Sequence, residues 1–408
     1  MRYLVITVGV GQDVAHAISY AVRRNNPDRV YYLVTEESAQ KTLPEVKRYH
    51  EESGFVPPEE FFVRLGAEEK DDLGAVFERV KNLIQDIRKE DRSQPDIVLD
   101  FTSGTKIMSA GAVMAACLGG VASLTYVSGR REEGRVASGT ERLIEQSLLP
   151  YRLEDRERFL LVLFDRYDFS ACLQVLQEIR RESAEKRVRD FVNRWESVVT
   201  FYQRWDLFNH QSCEPKGAIG IPPRNKGFLG KLRSGESPQS DFCLLADLIN
   251  NAQRRREEGR FDDAVARLYR AIEFVAQLKL KERGINASNV ELTKLPPALR
   301  EKYQKFQDEK GLVRLPLFRS FELLQDLEEP LGKQFFSDHE LRDLLQFRND
   351  SILAHGKQSV SETVFQKMFV RVKEYAGSVA KNLEKLCQEA SFPKHQEVLQ
   401  ELEKGVAP

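Results

Sequence analysis

The sequence predicts a mixed α/β chain, with an N-terminal Rossmann-like open sheet followed by an all-α C-terminal region. Three observations predict it. Residues 1 to about 150 alternate short apolar runs with amphipathic stretches, as buried parallel strands and their covering helices do. After Pro150 the strand-like runs stop and long charged–apolar patterns take over. At 408 residues, 41% hydrophobic and 31% charged, the chain can build two or three packed domains and is not composed like a disordered one.

The runs "RYLVITV" (2–8), "RVYYLVT" (29–35), "FFVRL" (61–65), "DIVLDF" (96–101) and "ASLTYVS" (122–128) are short, β-branched or aromatic, and almost continuously apolar. Helical stretches near 13–25, 36–52, 71–90 and 105–118 separate them, which implies an open sheet. Residues 151–240 read as a helical connector, within which the Gly-, Pro- and Ser-rich stretch 213–240 is expected to be a boundary or a mobile lid. Residues 241–408 read as a further helical domain. Its "RREEGRFDDAVARLYRAIE" looks like one tetratricopeptide hairpin, and a single hairpin makes no array.

Composition narrows the function classes. Sixty-two basic residues balance 63 acidic ones for a net charge of −1, so a polyanion site has to be local. The 5 cysteines form no CxxC pair and the 6 histidines no HxxxH group, which favours a reducing compartment and no metal. No apolar run approaches the roughly 20 residues of a membrane helix, and "MRYLVITVGVG" reads as a strand rather than a leader. A cytoplasmic, metal-free protein without membrane association is expected.

Two loops bear glycine at carboxyl ends of strands, the ligand-binding edge of such sheets. In "TVGVGQDVA" the first strand ends in Gly9, Val10, Gly11 and Gln12, but Val14 stands where a dinucleotide fingerprint needs its third glycine. Glu36 or Glu37 after the second strand would then hold a ribose; ordinary turn glycines explain the loop equally. In "DFTSGTKIMSAG", Thr102, Ser103, Gly104, Thr105 and Lys106 open a small-residue helix. Hydroxyls, a permissive glycine and a lysine suit phosphate or adenine-ribose recognition. An N-capping hydroxyl beside a solvated lysine is the plainer explanation.

These motifs, "TVGVG" and above all "TSGTK.MS.G", resemble the CRISPR-associated Rossmann fold, or CARF domain, over roughly residues 1–150. The resemblance implies a homodimer whose paired sheet edges bind a cyclic oligoadenylate of four or six adenylates as allosteric activator. Gly9, Val10, Gly11 and Gln12 would line its rim, Thr102 to Lys106 its floor, with Thr35 nearby. Some relatives also cleave the ring.

The stretch "LRDLLQFRNDSILAHG" (341–356), projected as a helix, places Leu341, Leu344, Leu345 and Ile352 on one stripe with Arg348 and His355 in its middle. Ser337 and Glu340 suggest a capping box, Asp338 a start and Gly356 a stop, with His355 in the last turn. There the helix dipole would favour the imidazolium and Arg348 oppose it. An arginine paired with a buried glutamate, beside a satisfied core histidine, is the ordinary alternative.

"RNDSILAH" resembles the variant HEPN ribonuclease signature in which an Arg, a polar residue and a His share a site. Behind a CARF domain, the whole chain resembles the CARF–HEPN ancillary ribonucleases of type III CRISPR systems, with an all-α HEPN-type C-terminal domain. That resemblance implies metal-independent cleavage of single-stranded RNA, with 2′-hydroxyl attack leaving a 2′,3′-cyclic phosphate. His355 would move the proton or hold the 2′-hydroxyl, Arg348 stabilise the phosphorane, and Asn349 position the phosphate. Arg267, Arg270 and Glu273 would line the same groove or form a surface salt-bridge face. Rival readings are a metal-dependent nuclease using Glu214 and Lys216, a CARF-gated regulator without catalysis, and an NAD-dependent oxidoreductase.

Overall fold

The computed structural model describes residues 1–404 apart from 12, 94, 133–134, 137–138, 183–184, 215–218, 236 and 353–355. The chain divides into two units, Met1–Arg158 and Phe159–Pro408.

In the first unit the strands are β1 (Arg2–Thr7), β2 (Arg29–Thr35), β3 (Glu59–Leu65), β4 (Asp96–Asp100), β5 (Ser123–Ser128), β6 (Arg131–Glu132), β7 (Arg135–Val136) and β8 (Arg142–Ser147). Between them lie α1 (Val14–Asn25), α2 (Glu36–Lys41), α3 (Leu43–Glu52), α4 (Leu73–Glu90) and α5 (Lys106–Gly119). The main sheet runs β3-β2-β1-β4-β5-β8, in which β8 is antiparallel to β5 and the other pairs are parallel, and β6 and β7 form a separate antiparallel pair. Strand order therefore reverses between β1 and β4, the switch point where open sheets bind ligands.

Alternation along β1 explains the layers. Tyr3 and Val5 face one core with Val76, Val80 and Ile84 of α4 and Met108, Ala112 and Ala115 of α5. Leu4 and Ile6 face the other with Ile18, Ala21 and Val22 of α1 and Val46 of α3. With both faces covered, β1, β2 and β4 are buried enough to read as apolar runs, whereas edge strand β3 is mostly exposed or half-buried and was legible from its aromatic and β-branched residues. β8 was not foreseen. Its residues are mostly exposed, so "RLIEQS" lacks that signal, as a blunted edge strand does.

The second unit is helical: α6 (Leu149–Asp165, in which the division falls), α7 (Phe169–Glu182), α8 (Lys186–Asp206), α9 (Pro223–Leu232), α10 (Pro238–Glu257), α11 (Phe261–Glu282), α12 (Pro297–Gln304) and α13 (Leu317–Asp326). The chain continues with α14 (Pro330–Ser337), α15 (His339–Asn349), α16 (Glu362–Val379), α17 (Leu383–Ala390) and α18 (His395–Lys404). α10 and α11 form an antiparallel pair, and Leu268, Ala271, Ile272 and Val275 make α11 its buried axis. The stretch 213–240 is not the irregular lid expected. It holds α9, started by Pro223 in the first turn and buried at Phe228 and Leu229, so packing overrides its glycines.

The loops after β1 and β4 touch through backbone. A Cβ on Gly9 would lie 2.6 Å from the Gly104 nitrogen, so only glycine fits. Gly9→Ala is expected to destabilise the protein by about 1–3 kcal/mol, read as a lowered denaturation midpoint in urea.

Candidate functional site

Two clusters were singled out from sequence, one in each unit. The first sits at the β1/β4 switch point. Thr7, closing β1, donates its hydroxyl to the Ser103 carbonyl. Ser103 Oγ returns a bond to the Thr7 carbonyl at 2.5 Å and accepts from Gly9 N at 3.2 Å. Gly104 takes φ of 103°, the conformation that lets the chain turn against Gly9.

Below them Asp100, fully buried at the end of β4, accepts from Thr102 N at 3.0 Å and from the Thr125 hydroxyl at 2.8 Å. Thr102 Oγ1 accepts from Val127 N at 2.8 Å. Thr105 is the N-cap of α5, accepting from Met108 N at 3.1 Å and donating to the Lys70 carbonyl at 3.2 Å. The hydroxyls of "TSGT" thus build the loop. What faces outward is exposed Val10, exposed Gly11 and the exposed side chain of Lys106 at the first position of α5. That arrangement offers a cation beside a helix N-terminus, where anions are favoured.

Thr35 ends β2 and caps α2 reciprocally with Ser38, so its hydroxyl too is engaged. Thr42 ties this junction to the site by donating to the Gly9 carbonyl at 2.8 Å. Glu36 pairs with Arg64 at 3.0 Å and Glu37 with Lys41 at 2.9 Å, which makes them surface ion pairs. Gln12 lies outside the described residues. Asp100 and Thr7 are the structural members that sequence reasoning missed; a carboxylate ending the apolar run "DIVLDF" was the available signal.

The second cluster surrounds Arg348. α15 is shorter than projected. Asp338, not Ser337, caps it by accepting from Leu341 N at 3.0 Å, because Ser337 is still the last residue of α14. At the other end the helix stops at Asn349 rather than at Gly356. The Gly356 nitrogen donates to Ser351 O at 3.0 Å, and Ile352 N donates to Gln358 O at 2.8 Å, so the backbone folds back on itself. Gly356 is required there, since a Cβ would fall 1.7 Å from the Asp350 carbonyl oxygen. Leu341, Leu344 and Leu345 are buried as expected, but Ile352 is 57% exposed. His355 lies outside the described residues, and the last-turn dipole argument made for it no longer holds.

Arg348, half-buried, donates from Nη1 to Asn349 Oδ1 at 3.2 Å and lies 4.6 Å from the ring centroid of Tyr269 on α11. Burial chiefly raises the Tyr269 phenol above its ordinary pKa, Glu273 adds to this and Arg348 opposes it, so the ring stays neutral at physiological pH. Arg270 pairs with Glu273 at 3.0 Å, and Arg267 bonds Asn251 and Asp263. The salt-bridge reading therefore describes Arg270 and Glu273 better than a groove. Among the described residues no cluster of His, Cys, Asp and Glu is placed to hold a metal, and no helix is long and apolar enough to cross a membrane.

Residues 233–378 match the family described as the Csm6 HEPN domain. Among solved structures, Enterococcus italicus Csm6 bound to cyclic hexa-2′-fluoro-hexa-dAMP aligns with 98% of this chain and 99% of its own, at 14% identity and a TM-score of 0.66. Can2 from Sulfobacillus thermosulfidooxidans in complex with cyclic tetra-adenylate covers 52% of this chain and 69% of its own, at 13% identity and a TM-score of 0.24, too low to inform the fold. No curated protein matches. The fold is that of a CARF–HEPN protein, and the resemblance to the CRISPR-associated CARF–HEPN proteins is borne out.

Burial raises the pKa of Asp100 against the opposing hydrogen bonds from Thr102 and Thr125. A carboxyl raised in the folded state contributes stability that is full below the unfolded value of about 3.9 and is lost as pH rises through the folded one. Urea midpoints of the wild type should fall over that interval, and Asp100→Asn should flatten the fall.

Proposed function

We propose that this CARF–HEPN chain is a metal-independent endoribonuclease, acting as a cytoplasmic homodimer on single-stranded RNA and switched on by a cyclic oligoadenylate. The observation that carries the reading is Arg348, inside the segment matching the HEPN domain, with its charge facing an aromatic ring and an amide rather than a carboxylate. HEPN domains generally act as ribonucleases, which favours catalysis over a purely regulatory role.

The chemistry follows from the side chains. The 2′-hydroxyl of the RNA attacks the adjacent phosphorus, leaving a 2′,3′-cyclic phosphate and a 5′-hydroxyl. Arg348 stabilises the charge that develops on the phosphorane oxygens, as a preorganised cation does. The Asn349 carbonyl is engaged by Arg348, which leaves its amide N–H groups to hold a phosphate oxygen. His355 is assigned the proton transfer.

In the first unit the ring would rest on Gly9, Val10, Gly11 and Gln12 and on the loop from Thr102 to Lys106, near Thr35. Lys106 would supply the cation for a phosphate, and backbone N–H groups of the loop the remaining donors. The ring bound by Enterococcus italicus Csm6 supports a cyclic oligoadenylate as the ligand class. Activation requires that the ring bind one arrangement of the dimer more tightly than another.

Full-length protein, fluorescent RNA and chelator, with and without cyclic tetra- or hexa-adenylate, test the reading. Cleavage should need a ring and survive EDTA, and Arg348→Ala or His355→Ala should slow it by about 100-fold or more. If neither ring raises turnover, or chelation abolishes it, the reading is wrong. Lys106→Ala should raise the ring concentration for half-maximal activation by about tenfold. A drop in saturated rate alone would remove Lys106 from the pocket.

A further inference from the structure

Tyr269 was given no role in the sequence analysis, although it lies within "RREEGRFDDAVARLYRAIE", yet it is the residue against which Arg348 lies. It belongs to α11, whose flanking Leu268, Ala271 and Ile272 are fully buried, so its backbone is anchored in the middle of the unit. Arg348 belongs to the last turn of α15, one residue before that helix ends. A guanidinium on a flexible stem at a helix terminus samples many rotamers. A ring fixed on a neighbouring buried helix removes most of them.

The type of partner matters as much as its position. An aromatic face attracts a cation through its quadrupole and contributes no net charge. The phenol is held neutral, so no phenolate cancels the guanidinium. Asn349 adds a second constraint by accepting from Nη1, and it too is neutral. Arg348 is thus fixed by two groups that leave its positive charge intact and the rest of its planar fork available to a phosphate.

We propose that Tyr269 is a positioning residue for RNA cleavage, holding the Arg348 guanidinium against its ring where the scissile phosphate will develop charge. The proposal rests on the nuclease reading and adds to it a residue on a different helix from the signature.

The test measures kcat and KM for fluorescent RNA with the full-length protein at saturating cyclic tetra- or hexa-adenylate, folding being checked by thermal melting. Tyr269→Leu is expected to lower kcat about tenfold with little change in KM, and Tyr269→Phe, which keeps the ring face, to restore it. Because Tyr269 acts through Arg348, Tyr269→Leu should cost nothing further in an Arg348→Ala background. Should the leucine variant melt below the assay temperature, Tyr269→Met replaces it, keeping bulk without a ring. Wild-type cleavage matched within about twofold by Tyr269→Leu, a Phe variant as slow as Leu, or additive losses in the double variant would each overturn the proposal alone. A wild-type protein that cleaves no RNA with either ring overturns the nuclease reading, a separate result.

Discussion

The reciprocal bonds between Thr7 and Ser103 are the constraint on which the carboxyl edge of the sheet depends. β1 leads towards α1, which covers one face, and β4 leads into α5, which covers the other. Their loops would diverge without a tie. Each hydroxyl donates to the other residue's carbonyl, which brings Gly9 and Gly104 into backbone contact. Asp100 anchors the same loop from below through Thr102 and Thr125, and Thr42 anchors the Gly9 side. The hydroxyl-rich motif is therefore largely architecture. What architecture leaves outward is Val10, Gly11 and the Lys106 ammonium.

Such a loop carries a conflict within it. Asp100 is fully buried and accepts hydrogen bonds from Thr102 and Thr125. Burial opposes its ionisation while the donors favour the charged form, and burial wins. A rigid hydrogen-bonded floor is thus obtained with a carboxylate that a looser loop would not need.

How much of this was legible depended on burial. β2 was readable to the residue because both faces of Arg29–Thr35 are covered and nearly every position is apolar. β8 was not, because an edge strand with exposed side chains looks like a polar loop. Thr102 to Lys106 were visible as a motif and so was a capping hydroxyl, which is Thr105, but the roles of Thr102 and Ser103 were not, since their partners Val127 and Thr7 are distant in sequence. At α15 the helical period of three real core leucines was carried on past Asn349, and nothing local showed that Gly356 would fold onto Asp350. Tyr269 had no signal at all, because an aromatic in the pattern of a buried helix reads as core.

Charge placement divides the arginines of the helical unit into those that meet carboxylates and those that meet other groups, as Arg342 meets His339, Arg300 the carbonyls of Leu295 and Thr293, and Arg348 a ring and an amide. Arg254 and Arg255 meet Asp206, at 2.8 and 2.6 Å, and Arg270 meets Glu273 at 3.0 Å. Arg260, Arg283 and Arg371 also meet carboxylates. Such pairs offset the cost of withdrawing charge from water, and they also spend the cation, since its field is cancelled close by. Arg348 belongs to the second group. A half-buried guanidinium held by a ring face and an amide loses some hydration without gaining a counter-charge among the described residues. That is unfavourable for the resting protein and becomes favourable when an anion arrives. On the nuclease reading proposed above, a phosphodiester passing to a dianionic phosphorane would gain more from such a site in its transition state than in its ground state, which is the condition for rate acceleration rather than mere binding.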